Sequence, residues 1–444
     1  MDKQNETSLR YAWYVVAVLM LANISSFIDR QILALLVGPI KRDLHLSDTQ
    51  MSLLMGLSFA LFYTFFGVII GHLADKYNRR NIVMAGITIW SAMTALCGGV
   101  KTYGQFFLVR MGVGVGEATL SPSAYSMISD YFPKNKLAMA LSTYSMGVFL
   151  GMGLSIVIGA GLIATLPKEG MVEVPVFGAV YPWQLLFFYI GLPGIGIALL
   201  MLTVKEPARK ETLLQGAAVT QPTLKAAMHM IWVQRKAYFP ICAGTAFTAF
   251  TNYGSSAWIP TYFVRTFGWS MQKTGLSYGL IITVFSALGV LAGGWVADWF
   301  SKNGRPEGKV RVGLISGFGI LISCFNFLLP NPNWVLFSLA IPAFFIAFPL
   351  GAAGAAIQEI MPNRVRALAS SIFLFFINII GMGLGPLLVA FFTDSVLHDE
   401  MMIKYSLIAL YITGGVATIW CFWVGLSNYD RAIDLKKYEK HYAA

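Results

Sequence analysis

Charged side chains are scarce in this sequence. Only 12% of its 444 residues are Asp, Glu, Lys or Arg, against 57% hydrophobic, whereas soluble domains run near a quarter charged. That scarcity excludes a water-soluble fold and predicts an integral membrane protein. Cysteine is scarcer still: Cys97, Cys242, Cys324 and Cys421 lie far apart within apolar runs, with no Cys-x-x-Cys pair. Neither a zinc site nor a disulfide framework is indicated, and no metal or cofactor is expected. Five histidines, His45, His72, His229, His398 and His441, are dispersed, and only the "HD" at 398–399 sets one beside an acid. A membrane-embedded enzyme needs a nucleophile with a base or a ligand cluster, so it is a remote alternative. The net charge of +11 is spread over short loops and never interleaved with aromatics, which argues against nucleic acid. The polar start "MDKQNETSLR" leads into a run longer than a signal-peptide core with no small-residue cleavage site, so no cleaved leader is expected.

What is abundant is apolar length. A helix needs about 20 residues to cross the hydrocarbon, and such runs occur at approximately 12–39, 50–74, 81–100, 104–131, 137–165, 182–204, 237–267, 271–299, 310–329, 334–358, 365–393 and 403–427. The predicted fold class is therefore all-α integral membrane, with twelve spans. The loops alternate in charge. "DKYNRR", "PKNK", "SKNGRPEGKVR" and "NRVR" follow spans two, four, eight and ten, while the opposite loops are poor in Lys and Arg. This asymmetry places both termini in the cytoplasm of a multi-pass protein of the cell (plasma or inner) membrane. A polar interval at 205–236 divides the chain into six-helix halves, 1–204 and 237–444. Its "PTLKAAMHMIWVQRK" reads as an interfacial amphipathic helix or, equally, as a plain linker.

The halves repeat. "GHLADKYNRR" (71–80) corresponds to "GGWVADWFSK" with Asp75 matching Asp298, and "SDYFPKNKLAMALS" (129–142) corresponds to "QEIMPNRVRALASS" with Pro133 matching Pro362. Parallel six-helix repeats with a substrate path between them are a transporter architecture. The loop after span two resembles the G-x-L-A-D-[RK]-x-x-[RK]-[RK] signature of the major facilitator superfamily. "RMGVGVGEA", beginning at Arg110, resembles its R-x-x-x-G-x-G signature. "SFIDRQILALLVGPIKRDLHLSDTQ", "GVGEA" and "SDYFPKNKLA" are similar to the spinster-type members. That resemblance implies translocation of lysolipids or sphingoid phosphates, in several members driven by protons. Organic-anion and sugar-acid symporters of the superfamily share the Asp-Arg of span one and the Glu of span four, so symport of small organic anions is the alternative. The antiporter pattern G-x-x-x-G-P is not met in span five, where "GVFLGMGLS" lacks the proline. It is found in span eleven, as "GMGLGP" (381–386).

The resemblance implies that spans one and four line the central path. Asp29, Arg30, Arg110 and Glu117 then form two acids and two bases facing one another or water, which explains their presence in segments where an ion at mid-bilayer is costly. Carried through the repeat, these four positions fall on Asn252, Tyr253, Leu339 and Ile346, so the carboxyl half is neutral where the amino half is charged. Confinement to one half favours a coupling task over a structural one. Asp29 and Glu117 are the expected proton carriers, and Arg30 and Arg110 the expected contacts to a phosphate or carboxylate on the substrate. Asn252, Tyr253, Trp258 and Tyr262 would add softer contacts, Trp258 and Tyr262 being equally readable as interfacial belt residues. Asp75, Arg79, Arg80 and Asp298 are expected to serve a cytoplasmic gate. His72 reads as a packed imidazole, and "GVGVG" as a close helix contact rather than a phosphate loop. The expected partners are a small-molecule substrate, lipid or otherwise, protons and the bilayer, with the protein a monomer.

Overall fold

With no water in the hydrocarbon to satisfy backbone N–H and C=O groups, a chain this apolar folds by closing every hydrogen bond within helices. The computed structural model describes residues 2–167, 170–207, 224–305, 307–362 and 365–442. Among the described residues, ten helices are long and apolar enough to cross a membrane. The ten include neither 104–131 nor 237–267. The first is broken into Tyr103–Glu117 and Leu120–Tyr131, where the Thr119 hydroxyl and N–H both turn back to the Gly116 carbonyl. The second is one unbroken helix, Arg235–Phe267, carrying Thr245, Thr248, Thr251, Asn252, Ser255 and Ser256.

The chain divides into two compact units, Met1–Ala218 with Ser270–Gly279 and Val219–Trp269 with Leu280–Ala444. The first contains α1 (Asp2–Leu35), α2 (Val37–Leu44), α3 (Asp48–Ser52), α4 (Ser58–Lys76), α5 (Arg79–Cys97), α6 (Tyr103–Glu117), α7 (Leu120–Tyr131), α8 (Lys134–Thr165) and α9 (Pro182–Leu200). Helix starts follow local chemistry. Ser47 and Gln50 form a reciprocal capping box ahead of α3, Asn78 caps α5 and Thr102 caps α6. Helix α1 packs on α8, and α5 on α6 and α9. The glycines of "GVGVG" allow close approaches of this kind. A Cβ at Gly116 would lie 2.7 Å from the Trp90 nitrogen on α5, and one at Gly114 2.9 Å from the Phe59 carbonyl on α4.

One feature departs from the all-α expectation. Between α8 and α9, β1 (Val172–Val174) and β2 (Gly178–Val180) pair antiparallel, with Glu173 opposite Ala179. The hairpin is tied down by Lys101, whose Nζ donates to the Ala179 carbonyl at 2.5 Å.

The second unit contains α10 (Leu224–Val233), α11 (Arg235–Phe267), residues 280–302 of α12 (Met271–Lys302), α13 (Gly308–Ile322), α14 (Pro332–Ser338), α15 (Ala340–Ala347), α16 (Leu350–Ile360), α17 (Arg366–Phe376), α18 (Gly385–Phe391) and α19 (Ile403–Tyr442). Helix α11 is central, packing on α19, on α18 and on the π-helical turn Ile377–Leu384. The interval 205–236 thus contains a helix, α10. Ala227 and Ile231 of that helix join Tyr238, Ile360 and Tyr429 in the unit's core.

Candidate functional site in the amino-terminal unit

Helix α1 carries Ser26, Asp29 and Arg30 within about one turn, and α6 carries Arg110 and Glu117. The structure brings all five together. Glu117 Oε2 accepts from Arg30 Nε at 2.5 Å and from the Ser26 hydroxyl at 2.6 Å. The Arg30 guanidinium also lies over three aromatic rings, Phe27 at 4.7 Å, Phe59 at 4.5 Å and Tyr63 at 4.7 Å. The close approach at Gly114 sets Phe59 there, and the same ring lies 5.7 Å from the Arg110 guanidinium. A guanidinium held over ring faces while bonded to a carboxylate has little freedom left.

The other acid and base are arranged differently. Arg110 Nη1 donates to the backbone carbonyl of Asp29 at 3.3 Å, not to its carboxylate. Asp29 Oδ1, Arg110 Nε and Nη2, and Glu117 Oε1 are buried without a hydrogen-bond partner, as is Thr94 Oγ1 on α5. The four ions therefore make one closed pair and one open one. Access is just as uneven: Asp29, Arg110 and Glu117 are each 1% exposed, whereas the Arg30 side chain is 10% exposed. The cluster reaches the surface of its unit only through Arg30. Arg110 is buried, with the Asp29 backbone carbonyl as its acceptor. Ser26, Phe59 and Tyr63 were not read as site residues, although Ser26 stands one helical turn before Arg30 and so on its face.

The carboxyl-half residues separate into two pairs. Asn252 and Tyr253 are half-buried. Trp258 is fully buried, with Nε1 donating to the Pro386 carbonyl at 3.1 Å. Tyr262 is 1% exposed and packs edge-on against Phe263, Phe267 and Phe327. Both rings are thus buried.

The expected gate residues also divide. The side chains of Asp75 and His72 lie outside the described residues, and Asp298 is exposed. Arg79 is 1% exposed and its four partners all belong to its own unit: Nε donates to Glu206 at 2.7 Å, Nη1 to Asp130 at 2.5 Å and to Ser126 at 2.7 Å, and Nη2 to the Pro207 carbonyl at 3.1 Å. The Arg80 N–H donates to the other Glu206 oxygen at 3.0 Å. Beside this lock, the Tyr11 hydroxyl donates to the Thr203 carbonyl at 2.9 Å and accepts from the Lys205 N–H at 2.8 Å. The Tyr131 hydroxyl donates to the Lys205 carbonyl. Arg79 and Arg80 thus bind the segment after α9 to α5 and α7, with Asp130 and Glu206 as acids that sequence reasoning passed over. All four cysteines are buried thiols, and no group of three or more His, Cys, Asp or Glu suited to a metal is found among the described residues.

A family model described as Major Facilitator Superfamily matches residues 19–386. An MFS-type efflux pump of Mycolicibacterium smegmatis is 27% identical over 435 residues, covering 97% of this chain and 96% of that protein. A hexuronate transporter of Bacillus subtilis is 24% identical over 392 residues, covering 86% and 87%. A crystal structure of a bacterial homologue of the human lysosomal transporter Spinster, inward-facing and unoccupied, superposes with a TM-score of 0.75 at 27% identity. That likeness covers 96% of this chain and 97% of the other.

Proposed function

This chain belongs to the Major Facilitator Superfamily, and on that premise we propose that it couples protons to the movement of an amphiphilic anion or zwitterion of the lysolipid or sphingoid-phosphate kind. As a member of that family it is a multi-pass membrane transporter and not an enzyme. The observation that carries the coupling is the asymmetry of the buried ions. Protonating Asp29 Oδ1 breaks no ion pair, because none is made there. Protonating Glu117 requires Arg30 to leave. Arg30 is also the member with exposed surface, and a guanidinium offers paired donors to a phosphate or carboxylate.

An anionic headgroup that takes Arg30 therefore competes with Glu117, and the released carboxylate accepts a proton. Proton and substrate each bias the same side chain, which is the requirement for thermodynamic coupling. Arg110, sealed beneath Asp29, keeps the pair's net charge small in either state. Asn252 and Tyr253 are assigned the softer substrate contacts. Alternating access of the two halves, with both termini cytoplasmic as the loop charges indicate, completes the reading.

The second reading, symport of small organic anions or sugar acids, is favoured by the likeness to the hexuronate transporter. One experiment separates them. Purified protein in liposomes is offered lysolipids, sphingoid phosphates and sugar acids, with and without an imposed pH difference, and counterflow is recorded. Lysolipid or sphingoid-phosphate movement stimulated by the pH difference supports the first reading. Movement of hydrophilic acids alone overturns it in favour of the second.

A further inference from the structure

The carboxyl-terminal unit contains a cavity that the transport reading does not use. It measures about 140 Å³ and is lined by Gln234, Arg235 and Lys236 at the start of α11 and by Asn428 and Arg431 on α19. One water's share of the liquid is about 30 Å³, so the space suits a single small polar group rather than a whole drug-sized ligand. Its floor is unusual. Gln234 is 3% exposed, its Nε2 donates to the Ala432 carbonyl at 3.2 Å, and its Oε1 is buried with no partner. Because the amide nitrogen is committed to a carbonyl, turning the amide over would set oxygen against oxygen, so the unsatisfied atom is an acceptor.

The cavity therefore offers three cations and one buried acceptor. A metal ion would suit Gln234 and be repelled by Arg235, Lys236 and Arg431. A bare anion would suit the cations and leave Gln234 unmet. A phosphate ester bearing a hydroxyl satisfies both. The nearby acid Asp430 lies within electrostatic reach of Arg311, Glu307 and Asp434 instead.

The helix leading into this cavity supplies a second observation. On α10, Ala227 and Ile231 enter the core, while Met228, Trp232 and Val233 are 45%, 57% and 36% exposed. The Arg235 guanidinium lies 5.2 Å over the Trp232 ring, and its Nη1 donates to the Trp232 carbonyl at 3.1 Å. A tryptophan joined to a cation beside exposed apolar side chains has the character of a membrane–water boundary.

We propose that this cavity binds the headgroup of an anionic phospholipid that carries a hydroxyl, of the phosphatidylglycerol type. Lys236 and Arg431 hold the phosphate, the headgroup hydroxyl donates to Gln234 Oε1, and Met228 and Trp232 rest against the acyl chains. The proposal stands apart from the transported substrate.

The test is native mass spectrometry of the full-length protein in detergent, titrated in parallel with phosphatidylglycerol, phosphatidylcholine, phosphatidic acid and sn-glycerol 3-phosphate. Phosphatidylglycerol should be retained about thirtyfold better than phosphatidylcholine, on the scale of two cations acting at a membrane surface. The double variant Lys236→Ala/Arg431→Ala, altered at exposed positions, should lose that preference. Gln234→Leu should reduce phosphatidylglycerol to the level of phosphatidic acid. Equal retention of phosphatidylglycerol and phosphatidylcholine, or a double variant indistinguishable from the parent, overturns the site. Binding of sn-glycerol 3-phosphate as tight as that of the lipid overturns the lipid as its source.

Discussion

The two units bury different kinds of polar group. Among the described residues the buried ions are Asp29, Asp48, Arg79, Arg110 and Glu117, and all five belong to the amino-terminal unit. The carboxyl-terminal unit satisfies its interior with neutral hydrogen bonds: Ser255 to Tyr411 at 2.9 Å, Thr393 with Ser406 at 2.8 Å, Trp258 to the Pro386 carbonyl, and Tyr238 to the Ala369 carbonyl at 2.6 Å. Its tightest helix crossing uses no side chain, since a Cβ at Gly293 would run into the Phe348 carbonyl oxygen. Neutral bonds hold equally well at any physiological pH, whereas ionised groups change state with protons and ligands. The repeat thus yields one unit with ions in its interior and one whose fully buried side-chain bonds are neutral.

Substitutions can break this contrast. The largest effect is expected for Glu117→Ala. It leaves Arg30 buried among three rings without its carboxylate, and loss of one partner of a buried pair costs about 3–5 kcal/mol. Thermal unfolding in detergent should show the lowest Tm of the series, and an unaltered Tm would mean the pair is not structural. Asp29→Asn removes a carboxyl that makes no ion pair, so its Tm should stay close to the parent's. Uptake driven by a pH difference should nonetheless be abolished while counterflow persists. Retained pH-driven uptake in both Asp29→Asn and Glu117→Gln would remove the proton role altogether. Arg30→Lys keeps the charge but loses the planar contact with the rings. Such contacts are worth about 0.5–2 kcal/mol, and apparent substrate affinity should fall by up to about thirtyfold in a concentration series. The smallest change is expected in the neutral unit. Trp258→Phe deletes one hydrogen bond, worth about 0.5–1.5 kcal/mol, and should lower Tm slightly with pH dependence intact. A changed pH dependence there would place coupling in both units.

The four ions of the site were legible as charges stranded in apolar runs, but their pairing was not. Seven residues separate Arg110 from Glu117, about 10.5 Å along a helix, so each needed a partner from another helix. The seating of α1 against α6 gave Glu117 to Arg30 and left Arg110 the Asp29 backbone. Arg79 was legible as a loop base, yet its acids lie 51 and 127 residues away, a separation no local pattern encodes. The surroundings of Trp258 and Tyr262 were not legible, because a polar tip on an apolar body looks the same whether it faces substrate, interface or core. The hairpin had a local signal, the alternation of "VEVPVFGAV" with its Pro and Gly, which the long apolar runs on either side obscured.

The lock around Arg79 bears on how the protein is made. Tyr11, Arg79, Asp130, Tyr131, Lys205 and Glu206 all lie within the first 207 residues, so both faces of the clasp are synthesised before α10. Chains fold from the amino end at about 5–20 residues per second, which gives this bundle seconds to fasten itself while its successor is still being translated. A nascent chain stalled at the end of α11, with Glu206 clear of the exit tunnel, should already resist proteolysis around Arg79, and replacing Arg79 with alanine should expose it.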